Sequence, residues 1–275
     1  MTVWAWIAGL IAGAVGQFID TVAGMGFGAF SGSILLVGGL SPVVVVATVN
    51  MAKVGSGLAS GLSHWRFGNV RWPWVLPLAL PAMAGAVVAA LLLAALPREI
   101  ARLLLPLVLL AMGVLILRRF LFARTLLPSV AGGSQEQTWI GHNSLRLHIW
   151  RTPSQGVKLG AIGVAGGALN GISGAFGPFT TSAVLLSFPA QPRYIVGTVN
   201  FVEFFVAAAV SITLLVQLGW AGLQWQVLAA LITGSLVTAP LGAYLSRHIP
   251  ARALGIVVAV TLIGVNVWSL LKVVA

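Results

Sequence analysis

Hydrophobic residues fall in long continuous segments that short polar or glycine-rich stretches interrupt. A helix rises 1.5 Å per residue, so about 20 apolar residues cross a bilayer core of about 30 Å. The short alternating strands of a membrane barrel are absent, and the pattern therefore predicts transmembrane helices. The predicted segments lie at about 4–23, 29–40, 42–63, 73–96 and 100–121, and again at 158–173, 179–188, 194–217, 225–246 and 252–273.

The composition agrees with an all-α polytopic membrane protein. Hydrophobic residues make up 59% of the 275 residues and charged residues only 7%, which excludes a water-soluble globular domain. The chain has no cysteine, so it forms no disulfide and no cysteine-based metal site. The first 20 residues lack a basic region, and we expect no cleaved signal peptide.

The formal net charge of +11 has two interpretations, nucleic-acid binding and membrane topology. In a membrane chain, Lys and Arg concentrate on the cytoplasmic side, so we expect the lipid bilayer as partner and no nucleic acid. Placing the polar stretch 122–157 in the cytoplasm puts eleven basic residues inside and three outside, with Lys53 within the membrane. This orientation predicts that both termini lie outside.

The two halves of the chain resemble each other at a constant offset of 150 positions. The tripeptide Thr-Val-Asn occurs at 48–50 and again at 198–200, each time within an apolar segment. We predict a first transmembrane repeat at 1–121, a cytoplasmic linker at 122–157 and a second repeat at 158–275. Further matched pairs are Gly13 with Gly163, Gly16 with Gly166, Asp20 with Asn170, and Gly24 with Gly174.

Each repeat is predicted to contain a broken or re-entrant helix pair followed by three full transmembrane helices. With both termini on one side and the linker on the other, each half crosses the membrane an odd number of times. The repeats are therefore inverted, and inverted repeats with interrupted helices are typical of secondary transporters. The half-helices are predicted to begin near 27–31 and 179–182, where their positive N-terminal ends suit an anion. Glycines at the breaks permit unwound backbone or close helix packing: Gly24, Gly26, Gly28, Gly174 and Gly177.

The chain resembles the TauE/SafE family of sulfite exporters at these residues. The family is marked by two related halves, each with a glycine-rich stretch, a leucine pair, a turn and an Ala-Thr-containing helix. The corresponding segments are GQFIDTVAGMGFGAFSGSILLVGGLSPVVVVATVN and GALNGISGAFGPFTTSAVLLSFPAQPRYIVGTVN. The resemblance implies transport of sulfite, a sulfonate or sulfoacetate across the bacterial inner membrane.

Apart from the Lys and Arg near the segment ends, three ionisable residues lie within the apolar segments, where charges are costly and mark functional sites. Lys53 is either an anion ligand or gate, or a structural partner of the two acids. Asp20 and Glu203 either neutralise Lys53, carry a proton, or bind a cation such as Na⁺. We predict that the two acids couple transport to a proton or an ion.

Polar uncharged residues near the breaks and the repeated tripeptide complete the predicted substrate site. Asn50 and Asn200 either donate to the substrate or form interhelical hydrogen bonds. Hydroxyl side chains of the repeated tripeptide either contact substrate or bond their own helix backbone, and those at the half-helix starts either contact substrate or cap the half-helices. These hydroxyl residues are Thr48, Thr198, Ser31, Thr180 and Thr181.

Other functions remain open from the sequence: a passive anion channel, or a transporter of another small anion or cation. An intramembrane enzyme is not expected, because the chain has no HExxH pair, no GxSxG serine and no facing aspartates. We expect no cofactor and no metal.

Overall fold

A computed structural model describes residues 3–23, 25–126, 153–188, 190–245 and 251–274. Gly24 and the central part of the predicted linker, 127–152, lie outside the described residues. The described residues form ten α-helices, a single 3-10 turn and no strand. The helices are α1 (Val3–Ala23), α2 (Phe27–Val37), α3 (Pro42–Arg66), α4 (Trp72–Ala95), α5 (Arg98–Leu126), α6 (Pro153–Ser173), α7 (Gly177–Ser187), α8 (Pro192–Leu218), α9 (Trp225–Leu245) and α10 (Ala251–Val274).

Five of these helices are long and apolar enough to cross a membrane, namely α3, α4, α5, α8 and α10. Large apolar side chains are exposed along them, such as Leu92, Ile212 and Val216. In water such surfaces would drive aggregation, whereas lipid tails accept them. The protein is therefore a polytopic membrane protein with helical spans, as predicted from the sequence.

Prolines mark the beginnings of several helices. Pro42 and Pro178 lie in the first turns of α3 and α7, where a missing N–H leaves no helical hydrogen bond unmade. The half-helix α2 begins at Phe27, within the predicted range. The prediction for α7 was wrong by two residues, because Pro178 is compatible with a first turn and allows the helix to begin at Gly177.

The helices pack in pairs that join the first five to the last five. α1 packs along α9, α4 along α6, α3 along α8, and α5 along α10. The short helices α2 and α7 lie among them, α2 against α1, α3, α5 and α10, and α7 against α5, α6 and α8. α3 is the most buried of the five spans. Of its most apolar stretch, 61% of the residues are buried, against 28% for α10. Most of α3 therefore faces protein rather than lipid.

Glycines allow the backbones of the α1–α9 and α4–α6 pairs to come into direct contact. Gly13 on α1 lies against the carbonyl oxygen of Leu231 on α9, and Gly163 on α6 lies against that of Leu78 on α4. Any side chain at either glycine would overlap the facing backbone. The two glycines are matched positions of the repeat, and both serve the same kind of contact.

The two helix breaks touch each other in the middle of the fold. Gly26, before α2, has φ 141°, and Gly174, before α7, has φ 72°, conformations that favour glycine. Gly28, in the first turn of α2, lies directly against the carbonyl group of Gly174. The N-terminal end of α2 and the break before α7 therefore form one junction.

Gly167→Ala should destabilise the protein, because its methyl group would overlap the carbonyl group of Ala82 on α4. Forcing such an overlap costs about 1–3 kcal/mol. The matched control is Gly264→Ala on α10, where an added methyl group meets nothing within 4 Å. Thermal unfolding of the two purified variants in detergent measures the difference. Equal midpoints would contradict the close α4–α6 contact.

Candidate functional site

Lys53 forms the centre of a buried ionic cluster. It is the twelfth residue of α3, near the middle of that span. Its Nζ lies 2.6 Å from Asp20 Oδ2 on α1 and 3.1 Å from Glu203 Oε2 on α8. All three side chains are about 3% exposed. The structure thus brings together the three membrane-embedded ionisable residues selected from the sequence.

The two contacts of Lys53 differ in quality. The contact with Asp20 is a hydrogen-bonded ion pair. Glu203 Oε2 lies within ion-pair distance, but its angles do not make a hydrogen bond with the ammonium group. A charge-assisted hydrogen bond is stronger than a charge contact without alignment. Glu203 is therefore the more weakly held of the two acids.

The break before α2 borders this cluster. The Phe27 ring, in the first residue of α2, lies with its centroid 5.2 Å from Lys53 Nζ, a cation–π contact. Asp20 Oδ1 is buried with no protein partner, and so is Gln17 Oε1 in the preceding turn of α1. The cluster therefore retains hydrogen-bonding capacity that the protein itself does not use.

The cluster carries a net charge of −1 when all three groups are ionised. Burying charges is costly, and two charges repay this cost only when they are closely paired. Lys53 balances the charge of one acid, and among the described residues no other cation lies within ion-pair distance of the second. A proton or a cation would complete the balance.

Asn50 and Asn170 link α3 to α6 beside the second break. Asn170 Nδ2 donates to Asn50 Oδ1 at 2.8 Å, and Asn50 Nδ2 donates to the Val46 carbonyl at 2.9 Å. Asn50 lies one turn before Lys53 and next to Gly174. This asparagine pair therefore connects the second break to the ionic cluster.

Asn200, on α8, contacts α3 at a different level from Asn50. Its Nδ2 lies 3.3 Å from His64 Nε2, near the C-terminal end of that helix. Asn50 and His64 are 14 residues apart on α3, which is about 21 Å of helix. The two repeated asparagines therefore do not converge on one point, although both occupy the interface of α3.

The hydroxyl residues of the predicted site are buried but do not cap the half-helices. The N-cap residues are Gly26 for α2 and Phe176 for α7, so the capping alternative was wrong for Ser31, Thr180 and Thr181, which lie within the helices.

Two of these hydroxyls bond backbone carbonyls, and two have no protein partner. Ser31 donates to the Ala12 carbonyl at 3.1 Å, and Thr198 donates to the Tyr194 carbonyl at 2.6 Å. Thr48 and Thr180 have buried hydroxyls without a protein partner. Only the last two are thus available as they stand for a bound substrate.

A groove of about 310 Å³ is lined mainly by residues of α3 and α8. Its lining is glycine, leucine and aromatic residues and carries no charged side chain. The lining residues are Gly57, Leu58, Gly61, Leu62, Trp65, Trp72, Phe201, Phe204 and Phe205. Because several of these side chains are exposed on an apolar surface, the groove suits lipid rather than an anion.

The sequence profile described as "Sulfite exporter TauE/SafE" matches residues 9–268. The chain belongs to the TauE/SafE family. It is 33% identical to "Probable membrane transporter protein YtnM" of Bacillus subtilis (strain 168) over 260 residues, 94% of this chain and 81% of that protein. It is 36% identical to "Probable membrane transporter protein ORF9" of Sinorhizobium sp over 110 residues, 40% of each chain. No solved structure matches.

The sequence analysis of this TauE/SafE protein missed residues on α3 beyond Lys53. Ser56, Ser60 and His64 follow Lys53 on the same face of α3 at intervals of three, four and four residues, the two serines buried and His64 half-buried. This helical spacing was readable from the sequence. The single serines and the histidine near a loop carried no signal by themselves. Among the described residues, no group of His, Asp and Glu could hold a metal ion.

Lys53→Met should destabilise the TauE/SafE protein strongly, because it leaves two buried carboxylates without a cation. Removing one partner of a buried ion pair costs about 3–5 kcal/mol. Adding Asp20→Asn and Glu203→Gln to Lys53→Met removes the remaining charges and should restore most of this loss. Thermal unfolding in detergent measures both variants. A triple variant no more stable than Lys53→Met would contradict the ionic account of the cluster.

Proposed function

We propose that this TauE/SafE protein is a secondary transporter that moves a small sulfur-containing anion across the membrane, coupled to protons. The proposed substrate is sulfite, which the family description names, or another sulfur oxyanion, a sulfonate or sulfoacetate. The observation that carries the proposal is the fully buried Lys53 between Asp20 and Glu203. An ammonium group in the middle of a span attracts an oxyanion, and the two acids hold it when no anion is bound.

Charge balance couples the anion to a proton. Bringing a monovalent anion to a cluster of net charge −1 would bury a charge of −2, which is costly in low dielectric. If one acid binds a proton as the anion arrives, the cluster stays at −1. The anion then occupies the position that the acid leaves on Lys53.

Glu203 is the acid that we propose to release Lys53. Its contact is longer than that of Asp20 and lacks hydrogen-bond alignment. Asp20 keeps its 2.6 Å hydrogen bond and stabilises the ammonium group while the partner changes. In this proposal Asp20 keeps Lys53 charged and Glu203 carries the proton.

The substrate site is proposed to extend from Lys53 toward the second break. Asn50 lies one turn from Lys53 beside Gly174, and Thr48 and Thr180 have buried hydroxyls without a protein partner. Hydroxyl and amide groups donate hydrogen bonds to sulfonyl oxygens. Ser31, Thr181, Asn200 and Thr198 would take part only after the helices rearrange.

Alternating access is proposed to arise from two inverted repeats, 1–121 and 158–275, joined by the segment 122–157. The helix pairs support this: α1 packs on α9 as α6 packs on α4, while α3 packs on α8 and α5 on α10. Exchanging the two halves maps this set of contacts onto itself. We further propose that the protein lies in a bacterial inner membrane with both termini on the periplasmic side, from the distribution of basic residues.

Labelled sulfite flux into proteoliposomes, with and without an imposed pH gradient, tests this function. We expect saturable flux in the wild type that the gradient accelerates. Lys53→Met should lower saturable flux about tenfold or more, because the anion loses its cation. Glu203→Gln should retain flux without acceleration by the gradient, because the amide does not bind the proton.

Matched controls exist for both variants. Lys272 and Glu99 are exposed at helix ends, so Lys272→Met and Glu99→Gln should leave the flux unchanged. Non-saturating flux that ignores the gradient would instead indicate a passive channel. Wild-type sulfite flux at the background rate, with organosulfonates also untransported, would contradict the proposed substrate class.

A further inference from the structure

One face of α3 carries polar side chains from the ionic cluster to the end of the helix. Lys53, Ser56, Ser60 and His64 follow at helical spacing, so they lie within a narrow sector of the surface of α3. Lys53 and the two serines are buried, and His64 is half-buried two residues before the helix ends at Arg66. We call these four residues the α3 polar stripe. It covers about 16 Å along the helix.

The two serines in the stripe do not use their hydroxyl groups within the protein. Ser56 is 0% and Ser60 4% exposed, and neither hydroxyl has a protein partner. Ser63, on the same helix but outside the stripe, donates to the Ala59 carbonyl at 2.7 Å. A buried hydroxyl without a partner costs about 1–3 kcal/mol. The hydroxyl groups of Ser56 and Ser60 are therefore available to hydrogen-bond to water and to relay a proton.

Helix α8 continues the stripe from His64 to Glu203. Asn200 lies 3.3 Å from His64 Nε2 and one helical turn from Glu203. The amide nitrogen donates to Nε2 when the ring is neutral with its proton on Nδ1. Asn200 Oδ1 is buried with no partner, so a turned amide would accept a hydrogen bond from a protonated Nε2. The contact thus accommodates both protonation states of His64.

We propose that the α3 polar stripe is the proton path between the membrane surface and Glu203, with His64 as its outer proton-exchanging residue. This inference rests on the proposed proton-coupled function. In the tautomer whose Nε2–H faces the Asn200 amide oxygen, a proton from the aqueous side forms an N–H bond at Nδ1 of His64, and Nδ1 then releases a proton toward Ser60. Each hydroxyl or water accepts one proton and releases one. The last transfer forms an O–H bond at Glu203 and ends its ion pair with Lys53.

The charges around His64 suit such an exchange. Imidazole is the side chain that exchanges protons near neutral pH. Asp20 on α1 interacts electrostatically with the ring. Helix α2 has no ionisable residue, and α9 has none among its described side chains.

Two flux measurements on the same proteoliposomes test the path. The first is exchange of labelled sulfite at equal pH on both sides, and the second is uptake driven by an imposed pH gradient. In His64→Gln, we expect exchange to persist while gradient-driven uptake falls about tenfold, since glutamine cannot exchange the proton. Ser60→Val should act in the same direction, because valine removes the relay hydroxyl.

Ser63→Val is the matched control, since Ser63 lies on the same helix outside the stripe. It should change neither measurement. Gradient-driven uptake in His64→Gln and Ser60→Val equal to the wild type would overturn the path while leaving the proposed function intact. Loss of exchange together with uptake in both variants would overturn it too, because it would indicate a structural or substrate-binding role. A wild type that ignores the gradient would overturn the proposed function itself.

Discussion

The contact of Lys53 with Asp20 and Glu203 is the interaction on which the rest of this account depends. A charged lysine in the middle of a transmembrane helix is tolerated only with a partner, and here two acids from two other helices supply it. The contact joins α1, α3 and α8 across both halves of the chain. The three ionised groups together carry a net charge of −1. A proton on Glu203 together with an anion at Lys53 keeps that net charge, so the two together can replace the contact between Glu203 and Lys53.

The surrounding fold positions these three groups by close helix packing. Gly57 and Gly61 on α3 lie against the backbone of Phe204 and Phe201, which brings α8 near enough for Glu203 to reach Lys53. The touching breaks place the first turn of α2 beside the ammonium group. In water, the hydrophobic effect drives helices together, but lipid tails are as apolar as the helix surfaces. In this protein, close packing at small residues stabilises the helix contacts instead.

Much of this arrangement was predictable from the sequence. The helix pattern followed from apolar segment length and from proline and glycine, and α7 was displaced only because Pro178 can begin a helix. The three ionisable residues stood out because charges are rare in apolar segments. The sequence did not show that both acids contact Lys53. That outcome depends on how α1, α3 and α8 cross, which the residue pattern does not specify.

The polar uncharged residues were harder to assign. Asn50 and Asn200 are equivalent in the repeat, yet one bonds Asn170 and the other contacts His64, because the partners on the two halves differ. Ser31 occupies the expected half-helix but bonds the Ala12 carbonyl of α1 instead of capping. Such contacts arise between helices far apart in sequence, and a single chain's residue pattern contains no measure of helix rotation.

The central claim is that an anion replaces Glu203 on Lys53 as a proton binds. Proton uptake on substrate binding tests it most directly, with purified protein in weakly buffered detergent solution and a pH indicator. The ligand is an organosulfonate, whose own acid group does not titrate near neutral pH. The account predicts about one proton taken up per anion bound in the wild type and none in Glu203→Gln. Saturable binding without proton uptake in the wild type would contradict it.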